Sequence, residues 1–122
     1  MIKNGIIQKA MRVSRDSPVL RGKVGAVLFT DTGHIIASAY NTTWFGLLDN
    51  GIRTIHAEKF LLDKAFRLKA FERFGRLNIL VVRTRSDGSL ANATPCKVCR
   101  SYLKSVNARI YYTDKLGTIR KL

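Results

Sequence analysis

Three residues in this sequence have the chemistry and the spacing of metal ligands: His56, Cys96 and Cys99. One imidazole and two thiolates fill three of the four tetrahedral positions that zinc prefers, and three protein ligands with one open position are typical of a catalytic zinc site. Water would take the fourth position, where zinc lowers its pKa from ~16 to about 7. Glu58 follows the histidine closely enough to carry protons to and from that water. The pattern therefore predicts a catalytic zinc centre with its own acid and base.

The two cysteines are the only ones in the chain, which excludes a disulfide framework. In a reducing compartment a Cys-x-x-Cys pair indicates metal binding or redox chemistry. A catalytic zinc, a structural zinc and a redox dithiol are therefore the alternatives. The catalytic zinc is favoured because the His-x-Glu and Cys-x-x-Cys segments both fall at predicted helix starts.

Length and hydropathy set the class of protein. A chain of 122 residues is long enough for one domain with a hydrophobic core and too short for two, so we expect a single domain over residues 1–122. No apolar run approaches the ~20 residues of a membrane span. Lys3 and Asn4 interrupt the apolar residues at the N-terminus, which does not resemble a signal peptide. We therefore expect a cytoplasmic protein with no membrane partner.

The charge balance is strongly basic. Twenty-two Lys and Arg against eight Asp and Glu give a formal net charge of +14. Such a charge raises the affinity for phosphate-rich partners and steers them toward the protein. The sequence therefore favours nucleic acid, or a nucleotide, as a partner of this basic surface. The alternative is a solvated basic surface without a dedicated partner.

Hydrophobic periodicity predicts three helices that alternate with strands. The predicted helices cover residues 2–14, 55–74 and 95–106. Thr54 and Thr94 are the predicted N-caps of the second and third helices, and Pro95 is the predicted first residue of the third helix. The predicted strands cover residues 23–30, 35–39, 77–83, 109–113 and 118–122. Residues 40–54 and 84–93 are predicted to be loops.

This element order predicts a three-layer α-β-α domain of the α/β class with a five-stranded mixed sheet. The Asp114–Gly117 segment has the pattern of a hairpin turn, so the last strand is predicted to be antiparallel. Helices that follow neighbouring strands begin at the same edge of such a sheet. We therefore expect the helix start with His56 to lie beside the helix start with Cys96 and Cys99.

The segment His56-Ala57-Glu58, followed by Pro95-Cys96-x-x-Cys99, resembles the signature of the zinc-dependent cytidine and deoxycytidylate deaminase superfamily. The predicted element order agrees with that family over nearly the whole chain, and residues 24–27 resemble its first core strand. The resemblance implies a cytidine-deaminase-like fold, a Zn²⁺ cofactor and hydrolysis of cytosine to uracil in a (deoxy)cytidine nucleotide. Glu58 would be the catalytic proton carrier.

The resemblance also implies a set of substrate contacts. Asn41 stands where related enzymes have an asparagine that holds the sugar, although an asparagine at a strand end is commonly only a turn former. The backbone at Ala57 and Thr94 would orient the base. Trp44 and Phe45 could stack on a base, or they could simply pack against the edge of the core.

Two features leave the substrate open. The antiparallel last strand resembles that of enzymes that act on free nucleosides. Those enzymes, however, typically have a cysteine at the position of His56. A charge of +14 also favours a phosphorylated or polymeric substrate such as single-stranded nucleic acid. The alternatives are a free dCMP or cytidine deaminase, an adenine-to-inosine tRNA deaminase, and a non-catalytic zinc module that binds nucleic acid. A homo-oligomer is a possible assembly for any of them.

Overall fold

The computed structural model describes residues 2–45 and 52–122, without the side chains of residues 43–45 and 52–55. The helices in these ranges are α1 (Asn4–Arg15), α2 (Ala57–Arg67), α3 (Ala70–Phe74) and α4 (Lys97–Lys104). The strands are β1 (Lys23–Phe29), β2 (Ile35–Tyr40), β3 (Thr42–Phe45), β4 (Ile52–Ile55), β5 (Leu77–Thr84), β6 (Leu90–Ala91), β7 (Ala108–Thr113) and β8 (Ile119–Lys121). None of these helices has the length and apolar character needed to cross a bilayer.

The main sheet is mixed and has six strands. Five of them run in the order β2-β1-β5-β7-β8, and β6 pairs with β5 outside this path. Strands β5 and β7 are parallel, whereas β8 is antiparallel to β7, which confirms the prediction for the last strand. The prediction of five strands is wrong by one, because β6 lies in the predicted 84–93 loop. A strand of two residues is too short to show a period of two in the sequence.

The sheet separates two layers of helices, as predicted for a three-layer domain. Successive side chains of a strand point to opposite faces, so β1 and β5 contribute to both cores. On one face α1 packs against Val27, Phe29, Leu80 and Val82. On the other face α2 and α4 pack against Ala26, Leu28, Leu77, Ile79 and Val81. Every residue of β5 except Arg83 is buried, as expected for a strand covered on both sides.

Helix α1 lies unusually close to β1. A Cβ atom at Gly25 would be 2.5 Å from the carbonyl oxygen of Ala10 and 2.6 Å from the backbone nitrogen of Ser14. Ser14 Oγ lies 2.7 Å from Thr84 Oγ1 in a buried hydrogen bond and also donates to the carbonyl of Met11. The glycine therefore allows the helix to contact the strand backbone directly.

The predicted helix over residues 55–74 is two helices. Lys69 adopts a left-handed conformation with φ of 53°, which ends α2 and turns the chain into α3. The turn brings Ala70 into the core, where it is fully buried. Neither Gly nor Pro marks this break, so the periodicity alone could not reveal it. The predicted cap, Thr54, is also wrong: it lies in β4, and His56 is the residue that precedes α2.

The segment predicted as a loop over residues 40–54 contains two strands. Strands β3 and β4 pair antiparallel, with Thr42 opposite Ile55 and Phe45 opposite Ile52, and residues 46–51 lie outside the described part. Four-residue strands with polar residues give no clear alternation, which explains why the sequence pattern missed them. Strand β4 ends directly before His56, so this pair of strands leads the chain into the candidate site.

Candidate active site

Two helix starts form the centre of the site. Helix α2 begins directly after His56, and α4 begins directly after Cys96. The prediction that Thr94 caps α4 and that Pro95 is its first residue is wrong: the N-cap is Cys96, whose sulfur accepts a hydrogen bond from the backbone N–H of Cys99 at 3.4 Å. The thiol takes this role because it is the acceptor within reach of the free N–H groups of the first turn.

The three predicted metal ligands lie together. His56 Nδ1 lies 2.9 Å from Cys99 Sγ and 3.7 Å from Cys96 Sγ, and all three donor atoms lie within 4.8 Å of one another. Zinc bonds of about 2.0–2.1 Å to nitrogen and 2.3 Å to sulfur separate tetrahedral N and S ligands by roughly 3.6 Å. One imidazole and two thiols at this spacing fit a single zinc ion with one position left for another ligand.

The environment of Cys99 is consistent with a cation at this point. Burial raises the pKa of the Cys99 thiol, and the negative charge of the neighbouring Glu58 raises it further. Coordination to a metal cation reverses this balance, because it deprotonates the thiol. The donor set therefore suits zinc better than it suits a redox pair, which requires an accessible thiolate of low pKa.

Glu58 is a buried carboxylic acid in the first turn of α2, with only 5% of its surface exposed. Burial raises the pKa of Glu58, against the opposing effects of a backbone hydrogen bond, the charge of His56 and a hydrogen bond with the Cys99 thiol. A carboxyl group whose pKa is raised toward neutral pH can both accept and donate a proton. Its burial and its contact with the metal ligands suit it to proton transfer.

A cavity of about 290 Å³ opens beside these residues. This volume lies near the lower end of the range for small-molecule sites. The predicted site residues in its wall are Asn41, His56, Ala57, Glu58, Thr94 and Cys96. The sequence analysis missed further residues of the wall, among them Arg21, Arg83 and Asn92.

Asn41 helps to build the wall of this cavity. Its side-chain oxygen accepts a hydrogen bond from Val24 N–H at 2.9 Å, and its side-chain nitrogen donates to the carbonyl of Gly22 at 2.8 Å. Asn41 is 5% exposed. It therefore ties the end of β2 to the segment that enters β1, and its predicted contact with a sugar stays a prediction.

Asn92 orients Thr94 at the opposite wall. The side-chain oxygen of Asn92 accepts hydrogen bonds from Thr94 N–H at 3.1 Å and from Thr94 Oγ1 at 2.5 Å. An asparagine two residues before its donor is the pattern of an Asx turn, so the sequence did contain a signal for this residue. The predicted stacking residues Trp44 and Phe45 lie on β3, and their side chains lie outside the described part of the structure.

The sequence of this chain is similar to that of a known protein family. The family model of the cytidine and deoxycytidylate deaminase zinc-binding region matches residues 2–113. No protein with a curated description matches the sequence significantly.

Solved structures with a similar fold include cytidine deaminases and a dCMP deaminase. The cytidine deaminase from Burkholderia pseudomallei is 21% identical with a TM-score of 0.65, over 100% of this chain and 92% of that chain. The cytidine deaminase from Mycobacterium tuberculosis is 22% identical with a TM-score of 0.62, over 97% and 88%. The dCMP deaminase from the cyanophage S-TIM5 is 25% identical with a TM-score of 0.61, over 93% and 86%. The fold of this chain is therefore that of these deaminases.

Proposed function

This chain belongs to the cytidine and deoxycytidylate deaminase family, and on that premise we propose that it hydrolyses cytosine to uracil in a cytosine nucleotide, with release of ammonia. One observation carries the proposal. The donor atoms of His56, Cys96 and Cys99 lie within 4.8 Å of one another, and the buried carboxyl group of Glu58 lines the same cavity as His56 and Cys96. A metal site, a proton carrier and room for a base are the parts that a metal-assisted hydrolysis of the amino group of cytosine uses.

His56, Cys96 and Cys99 would hold the zinc. When bound, zinc supplies the Lewis acidity that makes a nucleophile of water at neutral pH.

Glu58 would move two protons in the reaction. It takes a proton from the attacking water and gives it to N3 of the cytosine ring as the water oxygen adds to C4. It then takes the proton of the new C4 hydroxyl group and gives it to the exocyclic amine, so that the C4–N bond breaks, ammonia leaves and the C4 carbonyl of uracil forms. Its raised pKa favours both transfers, because a carboxyl group that is easily reprotonated can act first as a base and then as an acid. The backbone at Ala57 and Thr94, which both line the cavity, would orient the base.

The proposed role of Glu58 predicts a selective loss of activity. We expect Glu58→Gln to lower kcat at least about 100-fold, because the isosteric amide cannot carry the proton. Zinc content should not change, since the three donor atoms are intact. Zinc-loaded wild type and variant are incubated with cytidine, dCMP, single-stranded DNA and RNA, and the mass change of about 1 Da and the ammonia are measured.

The matched control is Glu72→Ala, which removes an exposed carboxyl group of α3 and should leave activity within twofold of wild type. Zinc-loaded wild type that leaves cytosine unchanged in all four substrates would refute the proposed function. A Glu58→Gln variant as active as wild type would refute the role of Glu58. A zinc-loaded wild type that turns over none of the four substrates would favour a zinc whose role is structural.

A further inference from the structure

We propose that Arg21 and Arg83 form a phosphate-binding subsite beside the candidate active site, so that the substrate is a cytosine nucleotide with a phosphate on its sugar. The inference rests on the proposed function and deepens it, because it names the group that distinguishes the substrate from a free nucleoside. Both arginines line the cavity that also contains His56 and Glu58.

The alternation of side chains along β5 places Arg83 on the same side of the sheet as the candidate site. Ile79 and Val81 belong to the core beneath α2 and α4, whereas Leu80 and Val82 face α1. Because side chains alternate along a strand, Arg83 lies on the face of Ile79 and Val81, which is the face that carries the metal ligands. It is the exposed residue in this otherwise buried strand.

A second cavity adjoins the first at these arginines. It has a volume of about 240 Å³, and Arg21, Gly22 and Arg83 line both cavities. Lys23 and Arg85 also line the second cavity. A ligand that extends from the first cavity into the second would therefore pass the residues that line both, Arg21, Gly22 and Arg83.

The two shared arginines differ from the other cations of the second cavity in their contacts. Lys23 donates to the carbonyl of Ser17, and Arg85 donates to the carbonyl of Leu90 at 2.7 Å. Within residues 2–45 and 52–122, the side chains of Arg21 and Arg83 form neither a hydrogen bond nor an ion pair. Among the described residues, their guanidinium groups therefore differ from the side chains of Lys23 and Arg85, which are held by backbone carbonyls.

The Arg83 side chain lies beside the main chain at Gly22. A Cβ atom at Gly22 would lie 3.5 Å from Arg83 Nη2, and the φ of Gly22 is 72°, a conformation that favours glycine. Arg83 thus lies against the backbone that joins Arg21 to β1. Two segments that are distant in the sequence therefore each contribute an arginine to the walls of the same two cavities.

Phosphate is the chemical group that this arrangement suits. The planar guanidinium group forms paired hydrogen bonds with phosphate oxygens, and two such groups can compensate its charge. The only acidic residue in the walls of the two cavities, within the described part of the chain, is Glu58 at the metal end. A net charge of +14 further attracts an anionic substrate.

The test compares substrates with and without the phosphate. The ratio of kcat/KM for dCMP to that for cytidine is measured in zinc-loaded wild type, Arg21→Gln, Arg83→Gln and the charge-matched control Arg12→Gln. Arg12 is exposed on α1, on the opposite side of the sheet. We expect Arg21→Gln and Arg83→Gln each to lower the ratio about 10- to 100-fold, and Arg12→Gln to leave it unchanged. The same measurement with an oligonucleotide that has one internal cytosine shows whether the phosphodiester of a nucleic acid can take the place of the free phosphate of dCMP.

Each outcome decides the proposal. A wild-type ratio near one, or an equal fall in all three variants, overturns the subsite while the proposed function stands. If wild type deaminates none of dCMP, cytidine, single-stranded DNA and RNA, the proposed function fails, and the subsite is then tested by calorimetric titration with dUMP and uridine. Binding of dUMP at least about tenfold tighter than uridine, lost in Arg83→Gln, supports the subsite; equal binding overturns it.

Discussion

At the scale of the residue, single side chains at the candidate metal site carry more than one role. Cys96 is a donor of the site and also the N-cap of α4, because its sulfur accepts the N–H of Cys99. His56 is the N-cap residue of α2, but its side chain makes no capping hydrogen bond. Its imidazole instead faces the two sulfurs. The start of α4 and the metal site therefore depend on the same atom, the sulfur of Cys96.

Removal of one sulfur should remove the metal. We expect Cys99→Ala to lower the zinc content of the purified protein from about one ion per chain toward zero, because only two protein ligands remain. The loss should also lower the thermal stability, since metal binding contributes to folding. Zinc is measured by atomic emission and unfolding by calorimetry. Val98→Ala, an exposed change between the two cysteines, is the control and should retain zinc. A zinc content in Cys99→Ala equal to that of wild type would contradict the assigned ligand set.

At the scale of the element, the contact between α1 and β1 sets how closely one helical layer approaches the sheet. Gly25 lies against the backbone of Ala10 and Ser14, and the hydrogen bond between Ser14 and Thr84 links α1 to β5. Strand β5 ends near the cavity through Arg83. Close packing on the α1 face therefore supports the strands that form the cavity wall on the other face.

Gly25→Ala should destabilise the fold. The added methyl group would meet the Ala10 carbonyl oxygen at 2.5 Å, so the helix must move, at a cost of about 1–3 kcal/mol in the free energy of unfolding. Urea unfolding of the zinc-loaded protein measures this cost. Gly5→Ala, in helix α1, is the control. Nothing lies within 4 Å of the new atom there, so this change should be neutral or slightly stabilising. An unchanged stability in Gly25→Ala would contradict the observed approach.

At the scale of the whole molecule, a chain with 22 basic and eight acidic residues depends on its few carboxylates. Asp31 accepts hydrogen bonds from Asn78 at 2.8 Å and Arg109 at 2.9 Å, and so ties the turn after β1 to β5 and β7. The hydrogen bond from Asn78, together with the positive charge of Arg109, lowers the pKa of Asp31 from its usual 3.8. The ionised carboxylate therefore stabilises the folded state.

This shift predicts the direction of an acid effect. A carboxyl group whose pKa is lower in the folded state contributes stability above its unfolded pKa, and that contribution is lost as the pH falls through the folded value. We expect Asp31→Asn to lower the melting temperature at pH 7 and the difference from wild type to shrink below about pH 4. Melting temperatures from pH 7 to pH 2 check this. Asp63→Asn, an exposed change on α2, is the control. A difference in melting temperature between Asp31→Asn and wild type that grows in acid would contradict the stabilising role of the ionised Asp31 carboxylate.

The sequence by itself predicted the class of fold, the antiparallel last strand and the group of metal-site residues. The predictions of the fold class and of the last strand are confirmed, because they depend on local patterns of apolar periodicity and turn residues. The structure places the donor atoms of His56, Cys96 and Cys99 within 4.8 Å of one another, and their role as metal ligands stays a prediction. The resemblance to the deaminase family came from the same short segments, and the family model matches residues 2–113.

Only the tertiary structure decided the cap of α4, the break at Lys69, strand β6 and the cavity wall. The capping atom depends on which acceptor reaches the first free N–H groups, and Cys96 does so. The break at Lys69 carries Ala70 into the core, a gain that no local propensity records. Arg21 lines the same cavity as Arg83 and Asn92 although it is far from both in the sequence, because the pairing of β1, β5 and β6 brings their segments together.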